Sequence, residues 1–341
     1  MKASGSLVVR NIGRLLPMTG TGPFSVVRAA VLVRDGTVEY ASEEAGLDPS
    51  AAAGVPVLDA DGGLVSPGLI DCHTHLVFAG SRSDEFVDRC RGVPYEAIAA
   101  RGGGIARTVE AVRAASREDL VREALPRVWR ALAMGVTTIE AKSGYGLDLP
   151  NELKLLRAVR DLDAATPADL VATFLGAHAL PRGVADREAH VAAIAEEWIP
   201  AVAEAGLARF CDCFCEGVAF TPAECERVLR AGIAAGLAPK AHAEQLTRSG
   251  GAALAARVGA VSADHLDCAT PEDLDALARA GVVAVLLPGC GVSLGRPRFP
   301  DARPFVAAGV KVAVSTDFNP GSCVTQDLPL VATIAMAFCG G

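Results

Sequence analysis

The sequence predicts an α/β protein built on a (β/α)8 barrel of the TIM type, with a small N-terminal β-sandwich-like domain. Eight short apolar or β-branched runs alternate with amphipathic stretches over residues 66–341, and a barrel of this type has that number of strands. Histidines and carboxylates follow the ends of these runs, where barrel enzymes carry their functional groups. A doubly wound open sheet is the competing fold, but no strand leads into a Gly-x-Gly-x-x-Gly turn.

Residues 1–65 are predicted to form the small β domain. The apolar runs 7–9 and 31–33 indicate strands, and Asp35-Gly36 is typical of a two-residue type I′ hairpin. Asp61-Gly62-Gly63 predicts a second turn. Because so short a segment buries little core by itself, we expect it to pack as an appendage and to pair with further strands.

Residues 66–341 are predicted to form the barrel. Its helices carry clear end signals: Ser116 precedes one helix, Thr221-Pro222-Ala223-Glu224 is a capping box with proline at the first helical position, and Thr270-Pro271 opens another. The eight strands are expected at 67–71, 136–141, 171–175, 210–214, 238–241, 261–263, 282–287 and 310–314.

Charge and composition narrow the classes of partner. The net charge is −8 with no basic stripe, so we expect neither nucleic acid nor an anionic membrane as a partner. No apolar run reaches transmembrane length, and the first twenty residues show no secretory signal. The ten cysteines predict free thiols in a reducing cytoplasm. Cys211, Cys213 and Cys215 share one strand face, as small buried residues do, and lack the spacing of a zinc knuckle.

His73-Thr74-His75 is the strongest local signal in the chain. Side chains alternate faces along a strand, so both imidazoles point the same way at the end of the first barrel strand. A lone histidine is more often a hydrogen-bonded core residue, but five of the six histidines fall at strand ends, and only His190 is expected on a helix surface. The strand ends carry, in order, His73 and His75; Lys142, Ser143 and Tyr145; His178; Cys215 and Glu216; His242, Glu244 and Gln245; Asp264 and His265; Pro288 and Gly289; and residues 315–321.

Three imidazoles and one carboxylate suit a borderline ion such as zinc or iron. We assign His73, His75, His242 and Asp317 as ligands of one divalent or trivalent metal ion per subunit, which activates a water molecule. Asp317 is predicted to take the proton from that water, with His265 as a second acid–base group. By itself Asp317 would also fit a helix N-cap.

This set resembles the amidohydrolase superfamily, in which many members bridge two metals with a carboxylated lysine on the fourth strand. The fourth strand here has no lysine, which favours one metal. Finer motifs resemble the imidazolonepropionase family within that superfamily and span nearly the whole barrel. They are DCHTHLVFAGSR (71–82), YEAIAARGGGIARTV (95–109), GVTTIEAKSGYGLD (135–148), FLGAHALP (174–181), KAHAEQ (240–245), ADHLD (263–267) and STDFNPGS (315–322).

The resemblance implies hydrolytic ring opening of 4-imidazolone-5-propanoate to N-formimidoyl-L-glutamate in histidine degradation, by a homodimer. An arginine fork holds the substrate's carboxylate well, and Arg82 follows the first strand. By resemblance Arg82, Tyr145 and His178 bind the substrate. Gln245 and the turn of Asn319, Gly321 and Ser322 then hold ring polar atoms or product. Without the resemblance, Arg82 would be a surface charge, Tyr145 a rim aromatic, His178 a support for a ligand and the Asn319 segment a turn.

Two features depart from the related proteins. Related deaminases place a glutamate proton shuttle three residues after the fifth-strand histidine, where this chain has Gln245, which cannot titrate. Glu244 therefore stays a weaker catalytic candidate beside Asp317 and His265. The chain also stops at Gly341, soon after the eighth strand, where family members return strands to the small β domain. We expect this sequence to be C-terminally truncated, with exposed strand edges as a result.

Two other functions remain open from the sequence. One is an aminohydrolase (deaminase) of the same superfamily that acts on a nucleobase-like heterocycle. Gln245 and Arg82 speak against it, because the shuttle is absent and a nucleobase has no carboxylate. The other is a non-catalytic binding protein on a decayed barrel, which the intact ligand set disfavours.

Overall fold

The computed structural model describes residues 5–20, 24–93, 97, 101–296 and 299–340. Part of the family-like stretch 95–109, namely 95–96 and 98–100, lies outside them. The chain divides into two compact units, Met1–Leu69 and Ile70–Gly341. None of the described helices is long and apolar enough to span a membrane.

The first unit contains a five-stranded sheet of mixed direction. β1 pairs antiparallel with β2, which pairs antiparallel with β3, while β4 and β5 run parallel to β1. The predicted hairpin is confirmed: Asp35 and Gly36 have φ of 49° and 81°, the two positive angles of a type I′ turn. The strands are β1 (Leu7–Leu15), β2 (Val26–Arg34), β3 (Thr37–Glu43), β4 (Val57–Asp59) and β5 (Leu64–Val65).

The second unit is the predicted barrel of eight parallel strands. Neighbouring strands pair in chain order. The ring closes where Asp317 N donates to His73 O at 3.1 Å and His75 N donates to Phe318 O at 2.8 Å. The strands are β6 (Leu69–Asp71), β7 (Val136–Lys142), β8 (Asp169–Ala177), β9 (Phe210–Cys215), β10 (Ala238–Ala243), β11 (Ser262–His265), β12 (Val283–Leu286) and β13 (Val312–Val314).

Helices follow the barrel strands, and the predicted caps are present. Ser116 accepts from Asp119 N, and the Thr221 capping box closes onto Glu224 N. A π-helical turn, Ile194–Trp198, joins α5 to α6. The described helices are α1 (Ser83–Cys90), α2 (Ile105–Ala114), α3 (Arg117–Ala133), α4 (Leu149–Ala165), α5 (Arg187–Ala193), α6 (Ile199–Glu204), α7 (Pro222–Ala234), α8 (Gly251–Val258), α9 (Pro271–Ala280), α10 (Pro288–Ser293), α11 (Ala302–Ala307) and α12 (Leu328–Phe338).

The barrel core is packed between the strands and the helices that surround them. One cluster joins β8 to β12 with the helices that follow them, and includes Phe174, Trp198 and Phe220. Cys211, Cys213 and Cys215 are fully buried in it, as the sequence predicted. All ten cysteines are described, and none forms a disulfide.

Candidate functional site

Four histidine rings and one carboxylate meet at the carboxyl ends of the barrel strands. The ring of His73 lies 4.5 Å from that of His242, 5.6 Å from that of His75 and 5.5 Å from that of His265, centre to centre. Asp317 Oδ1 lies 3.5 Å from His73 Nε2 and 3.8 Å from His75 Nε2. The structure therefore brings together five of the six residues that the sequence assigned to metal binding and acid–base chemistry, and Glu244 is the exception.

The donor atoms of this cluster suit a metal ion. His73 Nε2, His75 Nδ1 and His242 Nε2 are buried and have no hydrogen-bond partner among the described residues. Such orphaned nitrogens are costly unless something binds them. Ligand atoms of His73, His75 and Asp317 lie within 4.8 Å of one another, and so do those of His73, His242 and His265. His265 was predicted only as an acid–base group, but its ring nitrogen lies as close to the ligand atoms of His73 and His242 as a metal ligand would.

Burial sets the protonation of these rings. It lowers the pKa values of His73, His75 and His242 well below their ordinary value, and it lowers that of His265 to about 3. The rings are therefore neutral near pH 7, which is the form that binds metal. Burial raises the pKa of Asp317 to about 7, because a dry site disfavours the charged form of a carboxyl group.

The backbone at two of these positions adopts the left-handed conformation. His265 has φ of 79° and Asp317 has φ of 53°. Residues other than glycine rarely adopt such angles, and when they do they cluster at functional sites. Both residues lie where a strand ends, at His265 in β11 and three residues beyond β13. The chain thus turns sharply at the points where it presents these side chains.

Buried carboxylates contact the Nδ1 atoms of two of these histidines. His73 Nδ1 lies 2.6 Å from Asp264 Oδ2. If Nδ1 carries the proton and donates it to that carboxylate, His73 Nε2 is left with its lone pair for an ion. His242 Nδ1 lies 3.0 Å from Asp212 Oδ2, though not at a hydrogen-bonding angle. Asp264 therefore orients the His73 ring, while Asp212 lies beside the His242 ring without a hydrogen bond to it.

Two buried lysines balance those carboxylates. Lys142 Nζ lies 2.7 Å from Asp212 Oδ2 and 2.8 Å from Glu140 Oε1, and Lys240 Nζ lies 2.8 Å from the same Glu140 oxygen. Burial alone lowers the pKa of Lys142, but the carboxylates outweigh it and keep that pKa above its ordinary value. Lys142 is therefore an ammonium ion engaged in salt bridges.

The sequence did not predict this charged layer, which consists of Glu140, Lys142, Asp212, Lys240 and Asp264, or the role of Asp71. Asp71 accepts from Thr316 N at 3.0 Å and Thr316 Oγ1 at 2.7 Å, and it also bonds the Ser315 hydroxyl. A signal was available: Glu140 and Lys142, two residues apart in an apolar strand, must share a face. A charged pair on one face of a buried strand requires partners from neighbouring strands.

His178 and Tyr145 lie against the histidine cluster. The His178 ring stacks on His75 at 4.9 Å with an interplanar angle of 14°, and its Nδ1 bonds Gly144 O at 2.9 Å. The Tyr145 ring lies 5.6 Å from His75 and 5.4 Å from His178. Burial lowers the pKa of His178 to about 4, so this ring is neutral and lies beside the donor atoms.

Arg82 packs against the turn that follows the last barrel strand. Its guanidinium pairs with Glu85 at 2.9 Å. A Cβ on Gly321 would lie 2.2 Å from Arg82 Nη1, so a larger residue there would force the guanidinium to move. Glu85 Oε1 also accepts from Gly104 N at 3.0 Å. Arg82 thus lies near the Gly321 turn, with one carboxylate partner already in place.

The side-chain amide of Asn319 forms hydrogen bonds that shape the turn of residues 319–322. Its Oδ1 accepts from Gly321 N at 2.8 Å and Ser322 N at 2.7 Å, while its Nδ2 donates to Asp317 O at 2.6 Å and Ser322 Oγ at 2.8 Å. These bonds tie the turn to the backbone of Asp317. The structure therefore gives Asn319 the role of a turn-forming residue that holds Asp317 in place.

Glu244 faces away from the site. Its carboxylate accepts from Ser249 N, Gly250 N and Ala252 N at 2.5, 3.0 and 3.1 Å, so it caps the start of α8. The catalytic role predicted for Glu244 is replaced by this structural one, because φ of 53° at Glu244 ends the strand alternation. Gln245 lies instead with Nε2 3.8 Å from Cys290 Sγ.

His190 stays outside the site, as expected. It is half-buried on α5 rather than fully exposed, with its ring 5.4 Å from Trp198 and 6.5 Å from Phe220. The burial comes from the bulky aromatic side chains that pack around it.

Comparison with known proteins identifies relatives along almost the whole chain, although no family model matches it. It is 49% identical over 340 residues to an imidazolonepropionase of Myxococcus xanthus, covering 96% of this chain and 80% of that protein. It is 48% identical over 323 residues to one of Haloarcula marismortui, covering 95% of this chain and 75% of that protein.

Solved structures share the fold at low sequence identity. A triazine hydrolase from Arthrobacter aurescens superposes with a TM-score of 0.70 at 14% identity, covering 95% of this chain and 74% of that one. A guanine deaminase from C. acetobutylicum gives 0.68 at 14%, covering 98% and 79%. An adenosine deaminase from Xanthomonas campestris, solved with bound zinc, gives 0.65 at 17%, covering 98% and 73%.

Relatives at 48% and 49% identity cover 95% or more of this chain and at least three quarters of their own length. The chain belongs to the imidazolonepropionase family.

Proposed function

We propose that this chain hydrolyses 4-imidazolone-5-propanoate to N-formimidoyl-L-glutamate, a ring-opening step of histidine degradation, with one zinc or iron ion per subunit. The observation that carries the proposal is the buried cluster of neutral imidazoles around Asp317, with nitrogens that lack any hydrogen-bond partner among the described residues. The family relationship supplies the substrate.

His73, His75, His242 and Asp317 are the proposed ligands of the ion. When bound, the ion supplies Lewis-acid activation of the attacking water at neutral pH. A single ion is favoured because β9 carries no lysine, and Lys142 is already an ammonium ion between Glu140 and Asp212. Imidazole and carboxylate donors accept zinc and iron alike, so the donor set leaves both metals in the proposal.

Asp317 and His265 are the proposed acid–base groups. Water adds to the ring carbonyl carbon, the carbon–nitrogen bond of the ring breaks, and the departing nitrogen gains a proton. Asp317 takes the proton from the water and passes it toward that nitrogen, while His265 lies beside it to hold or relay the proton. The dry surroundings of Asp317, which raise its pKa, make its carboxylate a stronger base than an exposed one.

The substrate's propanoate group is the proposed ligand of Arg82. A planar guanidinium binds a carboxylate through two parallel hydrogen bonds. Tyr145 and His178, which flank His75, are proposed to contact the ring. Gln245, Gly321 and Ser322 are proposed to hold ring polar atoms or product. Asn319 is proposed to act with them by shaping the turn that carries Gly321 and Ser322.

The family also supports two proposals about the whole protein. We expect a homodimer in the cytoplasm whose partner is a small molecule and neither nucleic acid nor a membrane. Light scattering of the purified chain tests the dimer directly, and a monomer at micromolar concentration would contradict it.

The substrate is tested by offering two compounds to the same metal-loaded preparation. Loss of ring absorbance with 4-imidazolone-5-propanoate is the expected result, together with no release of ammonia from guanine. Asp317→Asn is the negative control, because it keeps the side-chain shape and changes a residue that is both a proposed metal ligand and the proposed base. Ammonia release from guanine without turnover of the imidazolone would instead establish a nucleobase aminohydrolase.

A further inference from the structure

We propose that His265, Cys290 and Asp317 form a second, weaker subsite for a soft divalent ion, and that filling it inhibits the enzyme. A ring nitrogen of His265, the sulfur of Cys290 and a carboxylate oxygen of Asp317 all lie within 4.8 Å of one another, and all three residues are buried. The inference rests on the proposed function in one respect, since Asp317 would be shared with the primary ion.

Three consecutive barrel strands hold these donors. His265 is the last residue of β11, Cys290 lies in α10 directly after β12, and Asp317 follows β13. Because the strands are paired to one another, the spacing of the donors is fixed by the barrel rather than by a mobile loop. A preformed group of donors binds an ion without first ordering a loop.

The chemistry of the donors selects the ion. An imidazole nitrogen, a thiolate and a carboxylate oxygen are all ligands of zinc, and the sulfur favours soft ions. Cys290 is only 3% exposed, and its sulfur lies 3.8 Å from the Gln245 amide nitrogen. The sulfur also interacts with the side chains of Asp317 and Ser322, so an ion that displaces the thiol proton takes the place of these contacts.

Asp317 can serve two ions because a carboxylate has two oxygens. Its Oδ1 lies 3.5 Å from His73 Nε2 and 3.8 Å from His75 Nε2, and a carboxylate oxygen of the same residue also lies within 4.8 Å of donor atoms of His265 and Cys290. Carboxylate-bridged metal pairs occur in hydrolases. The second ion has three protein ligands and a neighbouring positive charge, so its affinity is lower than that of the first.

An ion in this subsite would prevent the two acid–base groups from taking part in proton transfer. Asp317 and His265 would both be held by the second ion and would no longer carry protons. Since a positioned acid–base residue contributes about 10²–10⁴-fold to rate, we expect kcat to fall by about 10²-fold or more at saturation.

The test uses cadmium as the probe on the full chain loaded with one equivalent of zinc. The exposed thiol of Cys90 is removed in all samples by Cys90→Ser. Bound zinc and cadmium are then counted after gel filtration, and the ultraviolet thiolate-to-cadmium absorption is recorded. We expect one additional equivalent of cadmium, growth of the absorption band and loss of activity, with zinc retained.

Cys290→Ser should abolish the band and the additional equivalent, while the first equivalent of zinc still binds and supports turnover. The control Cys268→Ser, at a half-buried thiol elsewhere on the barrel, should behave like its parent. X-ray absorption at the cadmium edge keeps the proposal testable if Cys290→Ser fails to fold, because a sulfur ligand should then be visible in the parent protein.

Several outcomes would overturn the subsite: a metal total that stays at one per subunit, a band that persists in Cys290→Ser, or no sulfur ligand at cadmium. These outcomes are distinct from failure of the proposed function, which would appear earlier as a zinc-loaded protein that does not open the imidazolone ring.

Discussion

At the scale of single residues, the site depends on groups that hold the ligands as much as on the ligands themselves. Asp264 holds the Nδ1 side of the His73 ring at 2.6 Å, and Asn319 fixes the turn beside Asp317. The sequence predicted the histidines and Asp317 because they stand at strand ends. It could not show Asp264 as a partner of His73, since the two residues are 191 positions apart and meet only after the barrel closes.

Asp264→Asn removes the charge that orients His73 and keeps the side-chain shape. We expect the affinity for zinc to fall by about 10–100-fold, as is typical for loss of a residue that supports a metal ligand. Competition with a chromophoric chelator measures this without reference to activity. Ser262→Ala, which removes a 2.6 Å contact to the other Asp264 oxygen, is the control and should have a smaller effect. An unchanged zinc affinity in Asp264→Asn would remove this role from Asp264.

Arg82→Ala tests the proposed carboxylate contact. A hydrogen bond to a charged group contributes about 1.5–3 kcal/mol, so KM should rise about 10–100-fold with a smaller change in kcat. Arg82→Lys should recover part of this, because it restores the charge without the fork. Arg107→Ala, at an exposed arginine paired with Asp84, is the control. Equal KM values for Arg82→Ala and the unchanged chain would place the propanoate elsewhere.

At the scale of elements, local signals predicted the helix starts and the hairpin, because capping and turn chemistry are decided within four residues. They failed at Glu244. Two residues after His242, Glu244 would share its face in a continuing strand. The strand ends at Ala243, however, and the left-handed backbone at Glu244 sends its carboxylate to the start of α8. Sequence spacing cannot show where such a turn begins.

The Thr221 capping box gives a pH-dependent contribution to stability. The hydrogen bond from Arg187 is the main cause that lowers the pKa of Glu224 to about 2, below its ordinary value of 4.5. A lowered carboxyl pKa stabilises the fold above pH 4.5, and this contribution is lost as the pH falls toward 2. Glu224→Gln should therefore reduce the free energy of unfolding by about 1–2 kcal/mol at pH 7, after allowance for solvent screening.

Urea titrations at pH 7 and pH 3 measure that difference, which should shrink by about half at the lower pH. Glu188→Gln, at a carboxylate that is 77% exposed, is the control and should change stability little at either pH. A deficit in Glu224→Gln that is the same at both pH values would assign the loss to packing rather than to charge.

At the scale of the whole molecule, the barrel could be predicted because strand count and alternation are properties of the chain in order. The charged layer under the site could not, because it depends on how strands pair: His242 lies opposite Asp264 in the register of β10 and β11. Glu140 lies two residues from Lys142 on the same strand and is visible as its neighbour in the sequence, but only the closed barrel supplies Asp212 as the second partner. The fold was thus predictable from periodicity. Of the site, the sequence predicted the histidines and Asp317 at the strand ends but not the charged residues that support them.

The most direct test of the account is a metal titration of chelator-treated protein. The treated protein should be inactive on 4-imidazolone-5-propanoate, and zinc or ferrous iron should restore turnover in proportion to the metal added, with a break at one equivalent per subunit. Asp317→Asn should remain inactive throughout. Full turnover by protein with no bound metal, or a break at two equivalents, would contradict the proposed single-metal site.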